Sequence, residues 1–363
     1  MKILQFTSSL ASGGRETFVV DLTNELIRRG HEVHLVTMAR QNNKADTFNQ
    51  QFVDKRCIIH HYGLPHGRKL FGLFVLPYLI RKIKPDVVHA HAMLDFMVKP
   101  IKLMPKTKFV YTLHSRAENL VNSDKELELS KRVFLSGRIV PVTISSNCLE
   151  SYNDLYGRDN SVMIENGRKA PEVTEKFDDV KKYIDGLKRG PQTKVFFHAA
   201  RFDYLKNQDL LIDGFNILDK QGKDFILIVA GRNFETPEGK LLQERACPKI
   251  HFVGEQSNIA DWMMNVDAFC LSSRSEGLPI SILEALSLGK TPICTNVGGI
   301  KDVLTDSVNS YLSETLELED FVAAVNRFFE HPIEPEILKN YYAERFSIEK
   351  CADEYLKVYE TTK

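Results

Sequence analysis

The chain has 363 residues, 43% hydrophobic and 26% charged, a globular composition in a chain too long for one comfortable core, so we predict two domains. Its 48 basic and 48 acidic residues cancel, and no nucleic-acid partner is expected. Residues 1–166 hold 23 of the basic and 16 of the acidic residues, which suits an anionic acceptor or membrane surface, or merely a solvated charged face.

The chain opens with a strand, loop, helix and strand. MKILQFTSSL has one lysine and no long apolar segment, so we expect no secretory signal and a cytoplasmic protein. KILQF predicts a strand, SSLASGGRE a loop, residues 17–29 a helix that Gly30 ends, and residues 31–37 a second strand. Such a unit predicts parallel strands with a right-handed crossover.

The same alternation continues to residue 166 and predicts a doubly wound domain. Further strands are predicted in PDVVHAH, KFVYTLH, RIVPVTIS and SVMIEN, at residues 85–91, 108–114, 138–145 and 161–166. The longest apolar run, residues 70–80, is too short to cross a bilayer and contains Gly72 and Pro77.

A second alternating series follows a polar segment that predicts a linker or a peripheral helix. Its strands are predicted at residues 194–200, 224–231, 249–254, 266–273 and 290–296. We therefore predict an α/β protein of two Rossmann-like doubly wound domains facing across a cleft. The boundaries are 1–167 and 168–346, with a closing helix at 347–363 that packs back on the first domain.

Six cysteines are scattered along the chain without a CxxC pair, and several lie in apolar strand-like runs. This pattern suits reduced thiols in the core. We predict neither disulfides nor a zinc site.

The segment SRSEGLPISILEAL, residues 273–286, holds the first candidate site. Gly277 permits a sharp turn after a strand, and Pro279 suits the first turn of a helix. Free backbone amides there would form an anion site that the helix dipole strengthens. Glu276 and Glu284 would repel a phosphate but would accept hydroxyl donors, so they suit two sugars flanking a diphosphate; alternatively, Glu284 is an ordinary helix-surface residue.

The segment HAARFDYLKNQDLLIDGF, residues 198–215, holds the second. Arg201 and Lys206 lie in a polar loop between a strand and a helix. One unit charge pair at about 4 Å is worth roughly 4 kcal/mol gross at an effective dielectric near 20, so two cations and a helix terminus could neutralise a diphosphate. The chain has no Asp-x-Asp pair to hold a metal, and we expect neither a metal nor a cofactor. Either cation taken alone is better explained by a surface salt bridge.

Two weaker motifs lie in the first half. Gly13 and Gly14 end the first loop without side chains, which either admits a ligand or merely forms a turn; the three spaced glycines of a dinucleotide fingerprint are missing. His114 lies near the end of one predicted strand, and His89 and His91 lie near the end of another. One of them could serve as a proton carrier or hydrogen-bond donor; the alternative is a structural role, the interpretation that we favour for His89.

In combination these segments resemble the retaining glycosyltransferases of family 4, which have the GT-B fold and transfer a sugar from a nucleotide donor. The resemblance spans nearly the whole chain. It rests on GGRE, LIRRGHEVHLVT, KPDVVHAH, YTLH, IENG, AARFDYLKNQ and SRSEGLPISILEAL.

The resemblance implies a role for each residue of the second half's motifs. Arg201 and Lys206 would bind the donor diphosphate. Glu276 would contact the hydroxyls of the transferred sugar, and Glu284 would bind the ribose. Two backbone amides would assist the cations, those of Gly277 and Leu278.

In the first half, the resemblance implies that Gly13 and Gly14 let their loop approach the donor and that His114 lies beside the reacting sugar. It further implies transfer with retention at the anomeric carbon by a same-face displacement without an enzyme nucleophile. Two departures leave the nucleobase open: Asn233 stands where the family often has glycine, and the acid usual after VGG appears as Asp302.

The acceptor is expected to be a glycan or a lipid-linked sugar. Residues 66–84 combine basic and apolar side chains, so they predict either peripheral contact at the inner membrane face or an ordinary packed helix. Open alternatives are a nucleotide-sugar epimerase or a phosphorolytic enzyme of the same fold, and a non-catalytic nucleotide-sugar-binding protein. The missing fingerprint disfavours a nicotinamide-dependent oxidoreductase.

Overall fold

A computed structural model describes residues 1–63, 74–304 and 311–361. The chain forms two compact units. Unit 1 comprises Met1–Arg168 together with Phe346–Lys363, and unit 2 comprises Lys169–Arg345. The closing helix thus belongs to the same unit as the amino-terminal strands, and the chain crosses between units twice.

Unit 1 is built on a seven-stranded parallel sheet of order β3-β2-β1-β4-β5-β6-β7. Its strands are β1 Lys2–Thr7, β2 Glu32–Thr37, β3 Ile58–His61, β4 Val87–Ala90, β5 Lys108–Leu113, β6 Val140–Thr143 and β7 Val162–Met163. β3 was not predicted, because its IIHH sequence lacks the alternation of a half-buried strand. The predicted strand at 161–166 contracts to the two exposed residues of β7.

The helices of unit 1 are α1 Gly14–Arg28, α2 Leu76–Ile83, α3 Val98–Leu103, α4 Asp124–Phe134, α5 Ser146–Tyr156 and the closing helix, Ile348–Glu360. α1 begins three residues earlier than predicted because Gly13 already acts as its N-cap, and the Gly13 carbonyl accepts from the Thr17 amide at 3.0 Å. Gly30, at φ +86°, follows the helix in the left-handed region that favours glycine.

Unit 2 is built on a six-stranded parallel sheet of order β10-β9-β8-β11-β12-β13. Its strands are β8 Lys194–Ala199, β9 Phe225–Ala230, β10 Ile250–Gly254, β11 Ala268–Leu271, β12 Thr291–Thr295 and β13 Leu312–Ser313. The first five fall within the predicted segments, because apolar runs of this kind are typical of parallel sheets. β9, β11 and β12 are buried throughout, whereas the edge strand β10 is only partly buried. The two residues of β13 carry too little pattern to predict.

The helices of unit 2 alternate with its strands along the chain. They are α6 Phe177–Leu187, α7 Gln208–Lys220, α8 Pro237–Arg245, α9 Ile259–Met264, α10 Ile280–Ser287, α11 Ile300–Val303, α12 Leu318–Glu330 and α13 Pro335–Arg345; the closing helix of unit 1 is therefore α14. The polar segment after residue 169 contains helix α6. It is amphipathic, with Val180 and Ile184 buried.

Each unit has its own apolar core. In unit 1, Phe6, Phe109 and Phe134 are among the buried side chains, and in unit 2 Phe196 and Phe215 are. All six cysteines are free thiols, four of them buried. In the described part of the chain, no helix is both long enough and apolar enough to cross a membrane.

Candidate functional site

The candidate residues follow the strands at which each sheet changes direction. In unit 1 the strand order reverses between β1 and β4, and in unit 2 between β8 and β11. In open parallel sheets, ligands bind beyond the carboxyl ends of the strands at such a switch point. Gly13 and Gly14 follow β1, whereas Arg201 follows β8 and Glu276 follows β11. Each unit therefore presents its polar loops at the edge where its topology creates a crevice.

Lys206 and Glu276 form the central ion pair of unit 2. The Lys206 Nζ lies 2.5 Å from Glu276 Oε1, and the Ser273 hydroxyl donates to the same oxygen at 2.6 Å. The Lys206 side chain is 26% exposed and that of Glu276 only 11% exposed, so the carboxylate is oriented from within the protein. The pair places a cation and an acceptor of hydroxyl protons side by side.

Arg201 lies on the same loop as Lys206 but is held more loosely. Its side chain is 51% exposed, and its guanidinium lies 3.3 Å from Asp203 Oδ2. Asp203 also accepts from the Leu205 amide at 2.9 Å and so caps the short 3₁₀ turn Tyr204–Lys206. Arg201 can therefore rotate onto an anion without breaking a buried contact.

Buried His198 supports the backbone of the loop that carries Arg201 and Lys206. His198 on β8 lies 2.9 Å from the Cys270 carbonyl through Nδ1, which must donate because a carbonyl only accepts. Its Nε2 then accepts from the Gln208 amide at 3.3 Å, and Gln208 also donates to the Arg201 carbonyl at 2.9 Å. Burial lowers the pKa of His198 to about 4, which keeps the ring neutral and this pattern fixed.

The far end of the loop is hydrogen-bonded to the segment between β11 and Glu276. Asn207 adopts a left-handed backbone at φ 52°, and its buried side-chain oxygen accepts from the Arg274 guanidinium at 2.7 Å. The Ser272 hydroxyl donates to the carbonyls of Lys206 and Asn207 at 3.1 and 3.0 Å. Lys206 and Glu276 are thus positioned by one hydrogen-bonded unit.

Helix α10 begins directly after this pair. Pro279 is its N-cap, Gly277 and Leu278 precede it, and Glu284 lies half-buried in its middle. Within the described residues, no protein group accepts from the amides of Gly277 or Leu278, and the first amides of any helix lack internal partners. Positive potential at this terminus favours an anion beside Lys206.

Gly298 packs against the backbone of Glu276 from the neighbouring loop. It adopts φ +55°, and a Cβ at this position would lie 1.9 Å from the Glu276 carbonyl oxygen. That carbonyl accepts from the Gly299 amide at 3.2 Å. The VGG segment therefore holds the Glu276 turn by an approach that only glycine permits.

In unit 1, the side chains of Arg15 and Glu16 order the loop that contains Gly13. Gly13 is extended, at φ −178°, but a Cβ there would lie 2.6 Å from Glu16 Oε2. Glu16 is buried and accepts from Arg15 Nε at 3.0 Å, while Arg15 donates to Ser8 at 2.9 Å. A side chain at position 13 would require the end of the Glu16 side chain to shift, and the loop is pre-ordered around Arg15.

His114 belongs to a cluster of three histidines: His89 lies on β4, His91 follows β4 and His114 follows β5. Its Nε2 lies 3.0 Å from His91 Nδ1, and the Phe18 ring of α1 packs edge-on at 5.5 Å. His89 is buried and bonds Tyr359 and Thr112 at 2.6 and 2.8 Å, so it has the structural role that we favoured for it. His114 is partly exposed and His91 is buried.

These buried histidines predict acid sensitivity. Burial lowers the pKa of His89 to about 3, against 6.5 in the unfolded chain, so between these pH values only the unfolded state binds the proton. Stability is therefore complete above pH 6.5 and falls by about 1.4 kcal/mol per pH unit below it for this residue alone. Urea unfolding at pH 7.5, 6.5 and 5.5 measures the slope.

The His89→Gln variant isolates this contribution. It should be less stable than wild type at pH 7.5 but lose about 1.4 kcal/mol less per pH unit below pH 6.5. The exposed His331→Gln variant is the control and should keep the wild-type slope. An unchanged slope in His89→Gln would show that the His89 ring is already protonated in the folded state.

Several supporting residues were not found by sequence reasoning. They are Ser273, Gln208, His198, Arg274 and Gly298. Ser273 stands inside the motif that drew attention to Glu276, and Gly298 inside the VGG segment, but their roles depend on contacts between separate loops. Asn233, where the family often has glycine, adopts φ 72°, a left-handed conformation that asparagine tolerates.

Among the described residues, no group of three or more His, Cys, Asp or Glu side chains is arranged to hold a metal ion. The cationic and amide groups of unit 2 instead provide hydrogen-bond donors for an anion.

Two family sequence models match the chain. The model described as Glycosyltransferase Family 4 matches residues 12–169, and the one described as Glycosyl transferases group 1 matches residues 179–345. The first covers most of unit 1 and the second most of unit 2.

Similar proteins agree with these matches. The N-acetyl-alpha-D-glucosaminyl L-malate synthase of Bacillus anthracis is 22% identical over 83% of this chain and 81% of its own length. The capsular polysaccharide biosynthesis glycosyltransferase CapH of Staphylococcus aureus is 25% identical over 88% and 87%. The structure of Anabaena HepE in complex with UDP has a TM-score of 0.79 at 19% identity and covers 99% of both chains. The predicted fold class, two Rossmann-like α/β domains of the GT-B type, is confirmed.

Proposed function

The chain belongs to glycosyltransferase family 4, and we propose that it moves a sugar from a nucleoside-diphosphate sugar to a glycan or lipid-linked acceptor, with retention at the anomeric carbon, in polysaccharide or glycolipid biosynthesis. One observation carries the donor assignment. Lys206 and Glu276 are paired at the switch point of unit 2, beside free amides and an arginine that can rotate.

The donor would replace the internal ion pair with contacts of its own. The diphosphate binds Arg201, Lys206 and the amides at the start of α10. Glu276 then accepts from hydroxyls of the transferred sugar, since Ser273 keeps that carboxylate oriented when Lys206 turns to phosphate. Glu284, five residues into α10, binds the ribose hydroxyls.

The reaction needs no protein nucleophile. The bond from the anomeric carbon to the phosphate oxygen breaks, and the bond to the acceptor oxygen forms on the same face. The acceptor proton passes to the departing phosphate oxygen, so atoms and charges balance. Arg201 and Lys206 stabilise the negative charge that develops on the diphosphate, and such electrostatic stabilisation is usually the largest single contribution to catalysis. The two cations make a metal unnecessary for this step.

Product analysis tests the proposal. The protein is incubated in chelator with α-linked UDP, GDP and ADP sugars, with and without glycan acceptors, and the products are examined by NMR. UDP sugars come first because Anabaena HepE was crystallised with UDP. An α-linked product formed only with acceptor is expected. A β-linked product would contradict retention, and an epimerised donor without acceptor would favour the epimerase alternative.

We also propose that unit 1 contacts an anionic membrane surface, where a lipid-linked acceptor would lie. Phe74 and Tyr78 are 61% and 63% exposed, and the Lys99 ammonium lies 4.4 Å from the centre of the Phe74 ring. Helices α2 and α3 contain no acidic residue, while Arg81, Lys82 and Lys102 are exposed. Of the segment predicted to touch a membrane, residues 66–73 lie outside the described residues.

Vesicle sedimentation tests this contact. At low salt, wild type should bind vesicles containing phosphatidylglycerol. The double variant Arg81→Glu, Lys82→Glu should bind at least about tenfold more weakly, because each basic residue near an anionic membrane contributes about 1 kcal/mol to the binding free energy. The exposed pair Lys125→Glu, Arg132→Glu on α4 carries the same charge change and should bind like wild type. Wild type that stays in the supernatant at low salt would rule out the membrane contact.

A further inference from the structure

A hydrogen-bonded chain of three side chains leads from the centre of the unit 1 sheet to His114. Gln5 on β1 is buried, and its Oε1 lies 2.7 Å from His91 Nε2. An amide oxygen only accepts hydrogen bonds, so His91 must carry a proton on Nε2. The Nδ1 of a neutral His91 is then a lone-pair acceptor.

The next link follows from the first. His91 Nδ1 lies 3.0 Å from His114 Nε2, and two lone pairs at this distance would repel. His114 therefore donates through Nε2, which leaves its Nδ1 without a proton. In the described part of the chain Nδ1 has no protein partner, and the ring is partly exposed.

The surroundings keep both rings neutral and fixed. Burial lowers the pKa of His91 and of His114 well below the usual value, and the positive charge of Arg15 lowers both further. The Phe18 ring packs edge-on against both, at 6.0 Å from His91 and 5.5 Å from His114. Reversing the His114 ring would break its bond to His91. The His89 ring is tilted relative to that of His91, with the ring centres 4.0 Å apart.

We propose that His91 is a positioning residue that fixes the proton of His114 on Nε2, so that His114 presents a hydrogen-bond acceptor to the substrate. This deepens, and rests on, the proposed function, together with the position beside the reacting sugar that the family resemblance implies for His114. The sequence left open whether His114 donates or carries a proton; the chain from Gln5 makes it an acceptor for a sugar hydroxyl. Its chemical partner is therefore an O–H group, not a carbonyl or phosphate oxygen.

The tautomer is measured directly in the unliganded wild type by long-range ¹H–¹⁵N NMR of the histidine rings. A protonated Nε2 and a bare Nδ1 are expected in His114, with the Nε2 proton protected from solvent exchange. A His114 protonated mainly on Nδ1 would overturn the proposal. This measurement needs neither a donor nor a variant, so it stands apart from any failure of the proposed function.

Variants test whether the tautomer matters for transfer. His91→Phe removes the Nδ1 acceptor and should expose the Nε2 proton of His114 to solvent exchange. It should also lower kcat roughly 10- to 100-fold with little change in KM, a smaller effect than the 10²–10⁴-fold loss expected for a directly acting acid–base group. His91→Asn, whose Oδ1 can replace Nδ1 as the acceptor, should recover most of the proton protection and most of kcat. Tyr359→Phe removes a neighbouring buried hydrogen bond to His89 and should leave the proton protection and kcat unchanged.

Wild-type turnover in His91→Phe would overturn the positioning role. Loss of transfer by wild type itself would contradict the proposed function while the NMR result still decided the tautomer.

Discussion

Replacing Lys206 by alanine is expected to lower kcat by about 10²–10³-fold, the usual cost of removing one preorganised donor to a developing negative charge. Lys206 is only 26% exposed and is held by the Ser272 contact to its carbonyl, so its position is set before the donor arrives. The variant also leaves Glu276 without its cation, although Ser273 still donates to it. Steady-state kinetics with the donor found by product analysis measures the effect.

Two matched variants show whether the loss belongs to this lysine. Lys220→Ala removes an exposed lysine at the other end of α7, the helix that follows the Lys206 loop, and should keep the wild-type rate. Lys206→Arg keeps the charge but changes its geometry and should recover part of kcat. A Lys206→Ala enzyme with normal turnover would show that this lysine does not stabilise the leaving group.

Replacing Gly298 by alanine is expected to cost both stability and donor affinity. The left-handed backbone alone costs an alanine roughly 1 kcal/mol, and an added Cβ 1.9 Å from the Glu276 carbonyl forces the turn to move, at roughly 1–3 kcal/mol more. Displacing that turn shifts Glu276 and the amides of Gly277 and Leu278. Donor affinity measured by calorimetry should therefore fall at least about tenfold.

Gly222→Ala separates backbone strain from the clash. Gly222 lies in the same unit at φ +74°, but a Cβ there would meet nothing within 4 Å. It should lose roughly 1 kcal/mol of unfolding free energy and bind donor like wild type. If Gly298→Ala behaved in the same way, the contact of the VGG segment with Glu276 would not position the donor site.

The fold was predictable because buried parallel strands have a strong local sequence pattern of apolar residues. FILIVA is apolar and buried along its whole length, KVFFHA is buried at its four central residues, and both stand between helical stretches. Gly30 and Gly289, both in left-handed conformations, follow helices α1 and α10. By contrast, β3 and β13 add edge strands with little pattern of their own. The early start of α1 was missed because Gly13 caps the helix through its backbone, which glycine content alone does not reveal.

The site was predictable only as far as each motif is local. Arg201, Lys206 and Glu276 stand in recognisable segments. The ion pair between Lys206 and Glu276, however, joins residues 70 apart in sequence. The support from His198 through Gln208, and the approach of Gly298, depend on which loops the sheet order places side by side. The tautomer of His114 likewise depends on Gln5, more than 100 residues earlier. No local period encodes such contacts.

Unit 2 is expected to bind a nucleoside diphosphate through Arg201, Lys206 and the start of α10. Calorimetric titration of the purified protein, in chelator, with UDP, GDP, ADP and NAD in turn measures this binding. One nucleoside diphosphate should bind without metal, at least about tenfold more weakly to Lys206→Ala and equally to Lys220→Ala. Binding of NAD alone, or equal binding of the nucleotide by Lys206→Ala and wild type, would contradict this role of unit 2.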